Sequence, residues 1–218
     1  MRTPVNAAFL SPRTLHVANA ILAWADEWLI PENPEIKRPG NGSQAVCPFV
    51  QKSLDSSRFY MVFHPEVNGQ SYAQIESIVT SYIESFIATP PFQPELLTTK
   101  TLLVVFPELP ERETNVLDIV HTRIKSTFVS QGLMLAQFHQ RCEERGIHNR
   151  NLKVYQSPYP MMSIRHMAIH DILFLDKDPN WFKSYNVRFG DKFKPGAQLE
   201  EHNRHLVGPY LKAKEAAS

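Results

Sequence analysis

Two compact runs of aliphatic, β-branched and aromatic residues, Arg58 to His64 and Thr101 to Phe106, enclose a strongly amphipathic stretch, and this alternation restricts the fold more than any other feature. Each run has the length and content of a buried strand. Between them Tyr72, Ile75, Ile78, Val79, Tyr82, Ile83, Phe86 and Ile87 recur at helical spacing and stop before Thr89-Pro90-Pro91. Strand, helix and strand in that order predict a β-α-β unit whose two strands share one sheet.

The flanking segments extend this core. Ser11-Pro12 reads as an N-cap with proline at the first helical position, and Leu15, Ala18, Ile21, Leu22, Ala25, Trp28 and Leu29 then mark a buried helical stripe. Pro31 to Gly42, rich in proline, reads as a loop that delivers the chain to Val46-Cys47-Pro48-Phe49. Val116, Leu117, Val120, Ile124 and Phe128 define a second long helix, whose pattern runs on past a kink or break at Gly132 through Leu135 and Phe138 towards Gly146. Met161 to Leu175 reads as one or two further strands. Asp178-Pro179 repeats the cap signal before Trp181, Phe182, Tyr185 and Phe189, with Gly190 closing that helix. The sum is an α+β fold with a small central sheet, several long amphipathic helices and a β-α-β core.

A length of 218 residues supports one complete core, so a single domain over 1–218 is expected, with a polar, mobile C-terminal tail from about 196. The net charge of +1 provides no broad basic field, which argues against nucleic acid as a partner. No window approaches the roughly 20 apolar residues of a membrane span. A cytoplasmic protein with no membrane partner is therefore expected, and a homodimer is left open. The 2 cysteines, Cys47 and Cys142, cannot build a disulfide framework and suit a reducing compartment.

Cys47 is the sharpest chemical feature. The residue before proline is pushed out of the α region while proline suits a first helical turn, so Cys47 is expected at the N-cap of a short helix through Leu54. The free N–H groups there would favour the thiolate, as nucleophile or soft axial ligand, while the bland reading is a small buried hydrophobe. Cys142 falls in the charged Gln140 to Arg145 segment, read as helix surface without a role. Arg165, inside an apolar strand, requires a carboxylate from the protein or from a ligand.

His166 and His170 are spaced to share a face, yet Met167 stands where the zinc-protease pattern needs glutamate. They are therefore expected to divide their roles. One ring lines a pocket as hydrogen-bond partner or proton carrier, and the other is held by a carboxylate, Asp171 being nearest. His64 and His139 read as structural. The chain carries no Gly-x-Gly-x-x-Gly, no Gly-Lys-Ser/Thr loop and no Gly-x-Ser-x-Gly elbow, which removes Rossmann dehydrogenases, nucleotide kinases and α/β hydrolases.

Arg38-Pro39-Gly40, Val46-Cys47-Pro48-Phe49, and Tyr159-Pro160 leading into Ile164-Arg165-His166-Met167 and His170-Asp171 resemble a bacterial family known only as a domain of unknown function. Its members often occur in natural-product gene clusters. The Trp181-Phe182-x-x-Tyr185 to Arg188-Phe189-Gly190 stretch extends the resemblance to roughly Leu15 to Gly190. More distantly, the Cys-Pro-Phe placement is similar to the YqcI/YcgG-type haem proteins, some of which hydroxylate a nitrogen of an amino-acid guanidino group. That resemblance implies haem, with Cys47 as proximal ligand, Phe49 beside it, and Arg165 with a nearby histidine meeting the propionates or a substrate carboxylate.

A thiolate ligand pushes electron density to iron and favours O–O cleavage. The implied function is a haem-dependent oxidoreductase, N-oxygenating in type, acting on a small amino-acid-like substrate in specialised metabolism and supplied by an electron donor. His166 and His170 are its catalytic candidates. Two alternatives use the same residues: a non-catalytic haem- or ligand-binding protein, and a cofactor-free enzyme with Cys47 as nucleophile paired to His166 or His170.

Overall fold

The computed structural model describes residues 10–37, 42–69 and 71–217. Helix α1 (Pro12–Trp24) starts where the cap signal puts it. The Ser11 hydroxyl oxygen accepts the Thr14 N–H at 3.1 Å, and Pro12 sits where no backbone donor is needed. A π-helical turn, Ala25–Leu29, prolongs it and keeps Ala25 and Leu29 buried.

The proline-rich segment differs from its expected loop. Glu32–Lys37 forms strand β1, paired antiparallel with β2 (Ser43–Ala45). Proline is tolerated there because a two-stranded ribbon consists of edges. Arg38-Pro39-Gly40 lies outside the described residues. Helix α2 (Val50–Asp55) has Phe49, not Cys47, at its N-cap. Phe49 is already in αR conformation, and its C=O accepts the Ser53 N–H at 3.0 Å, so the helical ladder begins later than the proline rule suggested. The Cys47 N–H is engaged elsewhere, donating to Leu29 O at 3.1 Å.

The β-α-β unit is present as expected: β3 (Phe59–Phe63), α3 (Tyr72–Ala88) and β4 (Thr101–Val105), the strands parallel with Phe59 opposite Thr101. Helix α4 (Val116–Ser130) follows and stops, with Gln131 as its C-cap, just before Gly132. Gly132 adopts φ +76, a left-handed conformation that glycine takes at no steric cost, and the chain turns into strand β5 (Leu133–Phe138). The continuation of the helix towards Gly146 is therefore corrected. Leu135 and Phe138 fit a helical period, but Leu133, Leu135 and Gln137 alternate with Met134, Ala136 and Phe138 as a strand requires.

Strand β6 (Met161–His166) inserts antiparallel between β4 and β5, giving the order β3-β4-β6-β5. Only this part of Met161 to Leu175 is strand. Ile169–Asp171 is a 3₁₀ turn and Ile172–Leu175 is helix α5. Helix α6 (Pro179–Phe189) starts on the Asp178 carboxylate, which accepts the N–H groups of Asn180 and Trp181.

Helices α3 and α4 cover one face of the sheet through Ile75, Val79, Phe86, Val120 and Phe128 against Val104, Leu135, Met162 and Ile164. Helix α1 covers the other through Val17 and Ile21 against Leu103, Val105 and Met161. The end of the chain is not the mobile tail expected from about 196. Glu201–Leu206 is a 3₁₀ turn and Val207–Ala216 is helix α7, whose Tyr210 and Ala213, with Leu206, are buried against Phe182, Tyr185 and Met134. These apolar residues are sparse among charges, but their helical spacing places them on one side. No helix among the described residues is long and apolar enough to cross a membrane.

Candidate functional site

Strand alternation decides which predicted site residues meet. On β6, Met161, Ser163 and Arg165 face α1, whereas Met162, Ile164 and His166 face α3 and α4. Arg165 and His166 therefore work on opposite faces of the sheet.

Arg165 has found its carboxylate within the chain. Its two terminal nitrogens donate to the two oxygens of Asp171 at 2.7 and 2.6 Å, and one also donates to His166 O at 3.0 Å. Asp171 is buried and additionally accepts the Ala168 N–H at 2.7 Å, which fixes the 3₁₀ turn. Burial opposes the guanidinium charge, but Asp171 outweighs it and the pKa of Arg165 is raised. The Phe49 ring lies 4.4 Å beneath this guanidinium, a cation–π contact that brings the Cys-Pro-Phe segment onto the sheet. Cys47 is half-buried beside Trp28, Leu29, Val50 and Phe59, within electrostatic reach of both Arg165 and Tyr155. Cys47, Phe49 and Arg165 are thus one neighbourhood.

The two histidines are not part of it. His166 packs on Phe86 of α3 with ring centroids 5.2 Å apart, and burial, then Lys100 and Arg188, lower its pKa to about 4. His170 lies in the 3₁₀ turn with its ring stacked on His202 at 6.5 Å and tilted to His205 at 6.4 Å. Asp171, the expected partner of one of them, is committed to Arg165. His64 is structural as read, held between Glu66 at 2.6 Å and the Tyr82 hydroxyl at 2.9 Å.

The sequence reading missed a cavity of about 360 Å³ that wraps the outer edge of β5. Its walls come from Met134, Ala136 and Gln137 of β5, Ser163 and Arg165 of β6, His121 and Lys125 of α4, and from Glu144, Tyr155, Phe174 and Trp181. As the last strand of the sheet, β5 leaves an unpaired edge there, and His121 Nε2 uses it by contacting Leu135 O at 3.1 Å. Burial lowers the pKa of His121 to about 4, so its imidazole is neutral and donates to that carbonyl. Burial also lowers the pKa of Lys125, whose ammonium lies 4.1 Å from the centre of the Trp181 ring. Tyr155 has its pKa raised by burial and then by Glu144.

The cavity therefore combines a partly desolvated cation, a carboxylate, a protonated phenol and an apolar wall. The signal for it was weak in sequence: His121 and Lys125 share one flank of α4, but nothing local says that β5 is an edge. A second cavity, about 340 Å³, lies between Ile147, Arg150, Asp176 and His205, and the buried Asp176 Oδ1 and His205 Nε2 lack hydrogen-bond partners among the described residues.

Comparison with known proteins gave no match to a curated protein and none to a solved structure. One family model does match, over residues 18–200, spanning α1 to the segment before α7 and so including the whole sheet and Cys47, Arg165 and the β5 cavity. The chain belongs to that family, Domain of unknown function (DUF6875).

Proposed function

We propose that this protein binds a small amino-acid-like molecule in the cavity at the β5 edge, with the Cys47-Phe49-Arg165 neighbourhood behind its inner wall. The observation that carries the reading is Lys125. A partly buried ammonium set over an aromatic ring at a cavity wall is completed by a ligand carboxylate, since the Arg165 charge is already paired with Asp171. Glu144 and the Tyr155 hydroxyl offer partners for an amino or guanidino group, and Met134, Phe174 and Trp181 receive the apolar part of the side chain. A volume of about 360 Å³ is at the small end of ligand pockets, the scale of a metabolite.

Calorimetric titration of the full chain with a panel of α-amino acids and their decarboxylated amines tests this. Saturable binding of one or more amino acids, absent for the matching amines and weakened at least about tenfold by Lys125→Met, is the expected result, a loss of about 1.4 kcal/mol. No binding across the panel, or equal binding by Lys125→Met, would contradict it.

A second reading makes the ligand a substrate for oxidation by a haem held on Cys47, in keeping with the distant similarity to haem proteins. One observation favours it: Cys47 is half-buried, close to Arg165 and Tyr155, and outside any disulfide. Fit is partial. Cys47 can supply a thiolate, but Arg165, with both terminal nitrogens on Asp171, has little left for a propionate. When bound through a thiolate, haem supplies oxygen activation, and the reading then also needs an electron donor. Purified protein expressed with ample haem precursor decides: a strong visible absorption band lost in Cys47→Ser supports it, and colourless protein removes it. A colourless protein in which thiol reagents modify Cys47 leaves the cofactor-free nucleophile.

A further inference from the structure

We propose that Asp118, His139 and Cys142 form a mononuclear site for a borderline-soft divalent cation of the zinc class, with an open coordination position towards the β5 cavity. The inference stands apart from the ligand reading, since none of the three residues is needed to bind an amino acid there.

The three side chains converge from separate parts of the chain. Asp118 comes from the first turn of α4, His139 follows the last residue of β5, and Cys142 lies in the turn beyond it. That turn is fixed by backbone hydrogen bonds, Cys142 N–H to His139 O at 3.1 Å and His139 N–H to Tyr155 O at 3.3 Å. The ligand atoms all lie within 4.8 Å of one another. Asp118 Oδ1 is 3.1 Å from His139 Nε2 and 4.0 Å from Cys142 Sγ. Bonds of about 2.0 to 2.3 Å at tetrahedral angles put neighbouring ligand atoms about 3.3 to 3.7 Å apart. Those two distances bracket that range, and the third pair, His139 and Cys142, lies within 4.8 Å, so an ion enters as the side chains draw in around it.

The donor set selects the ion. One thiolate, one imidazole and one carboxylate suit zinc or its neighbours, whereas magnesium and calcium call for oxygen throughout. Burial selects the geometry. His139 and Cys142 are essentially inaccessible, while the Asp118 side chain is 43% exposed, so entry and the remaining coordination position lie on the Asp118 side. Gln137, a wall of the cavity, donates to Asp118 Oδ1 at 3.2 Å and links the two.

His139 Nδ1 is buried with no hydrogen-bond partner among the described residues. The Asp118 contact is the ring's one hydrogen bond among the described residues, and a cation at Nε2 would replace that bond while the ring proton moves to the buried Nδ1.

The same residues are poorly arranged as a nucleophilic triad. The Cys142 sulfur approaches the carboxylate, not the imidazole, and burial pushes its pKa to about 11. A cation changes that balance by displacement. The metal–sulfur bond forms as the thiol S–H bond breaks, and the proton leaves to solvent.

Titration of the full reduced chain with cobalt(II) chloride, a spectroscopic substitute for zinc, reads the site directly. Expected are a thiolate-to-cobalt charge-transfer band in the near ultraviolet saturating at one equivalent, bleached by zinc, kept in Cys47→Ser and lost in Cys142→Ser. Asp118→Asn, at a half-exposed position that keeps shape and fold, weakens binding at least about tenfold. Far-ultraviolet circular dichroism of each variant separates lost ligation from lost structure. Absence of the band in folded wild type, its loss in Cys47→Ser, or its unchanged affinity in folded Asp118→Asn overturns the proposal.

Discussion

At the scale of residues, the Arg165–Asp171 pair decides what the Cys-Pro-Phe segment rests on. Breaking a buried, bidentate pair from one side leaves an uncompensated charge, a loss of about 3 to 5 kcal/mol. Arg165→Met is therefore expected to lower unfolding free energy by that order, and Asp171→Asn by somewhat less because the amide oxygen still accepts the Ala168 N–H. The double variant should recover about 2 kcal/mol relative to the sum of the singles, measured by urea unfolding. Strict additivity would mean that the two groups act separately. Sequence alone established that Arg165 needs a carboxylate; that the carboxylate is Asp171 depends on the 3₁₀ turn folding back over the strand.

His121 carries the pH prediction. Its pKa is about 4 in the fold against 6.5 unfolded, so between those values the unfolded chain binds a proton that the folded chain refuses. Stability is then highest above pH 6.5 and falls as pH drops towards 4, by on the order of 3 kcal/mol at full effect. The half-buried His166 adds a smaller contribution of the same sign. His121→Gln should flatten this slope, and an unchanged slope would remove His121 as its source.

At the scale of elements, local pattern was a good guide wherever one face is buried and a cap marks the end. The β-α-β unit and the capped starts of α1 and α6 were legible for that reason. The pattern failed where two periods coincide: Leu135 and Phe138 suit a helix as well as a strand, and only the backbone at Gly132 separates them. A Cβ at Gly132 would also run into the Arg188 guanidinium. Gly132→Ala should therefore cost about 1 to 2 kcal/mol in left-handed strain alone, with a matching drop in the urea midpoint. No loss would mean that this turn does not set the start of β5. Helix α7 was illegible because its few apolar residues gain their meaning from α6, a partner no local window contains.

At the scale of the whole molecule, the insertion of β6 between β4 and β5 makes the site and also hides it from sequence. It aligns Arg165 with Thr101 on one side and Met134 on the other, sends His166 to the opposite face, and leaves β5 as the edge around which the cavity forms. Long-range strand order is not written in local periodicity, so Cys47, Phe49 and Arg165 were brought together only through the resemblance to haem proteins, along with two histidines that lie elsewhere, and His121, Lys125 and Tyr155 were not brought together at all.

The central claim, that ligand binds at the β5 edge, is tested most directly by methyl resonances of the 6 methionines in carbon-13-labelled protein titrated with the amino-acid panel. Met134 lines the cavity, whereas Met61 lies on β3 at the far side of the sheet. A saturable shift of Met134 with Met61 unmoved, lost in Lys125→Met, is the predicted result. Shifts centred on Met61, or none at Met134 while an amino acid binds, would place the ligand elsewhere and contradict the account.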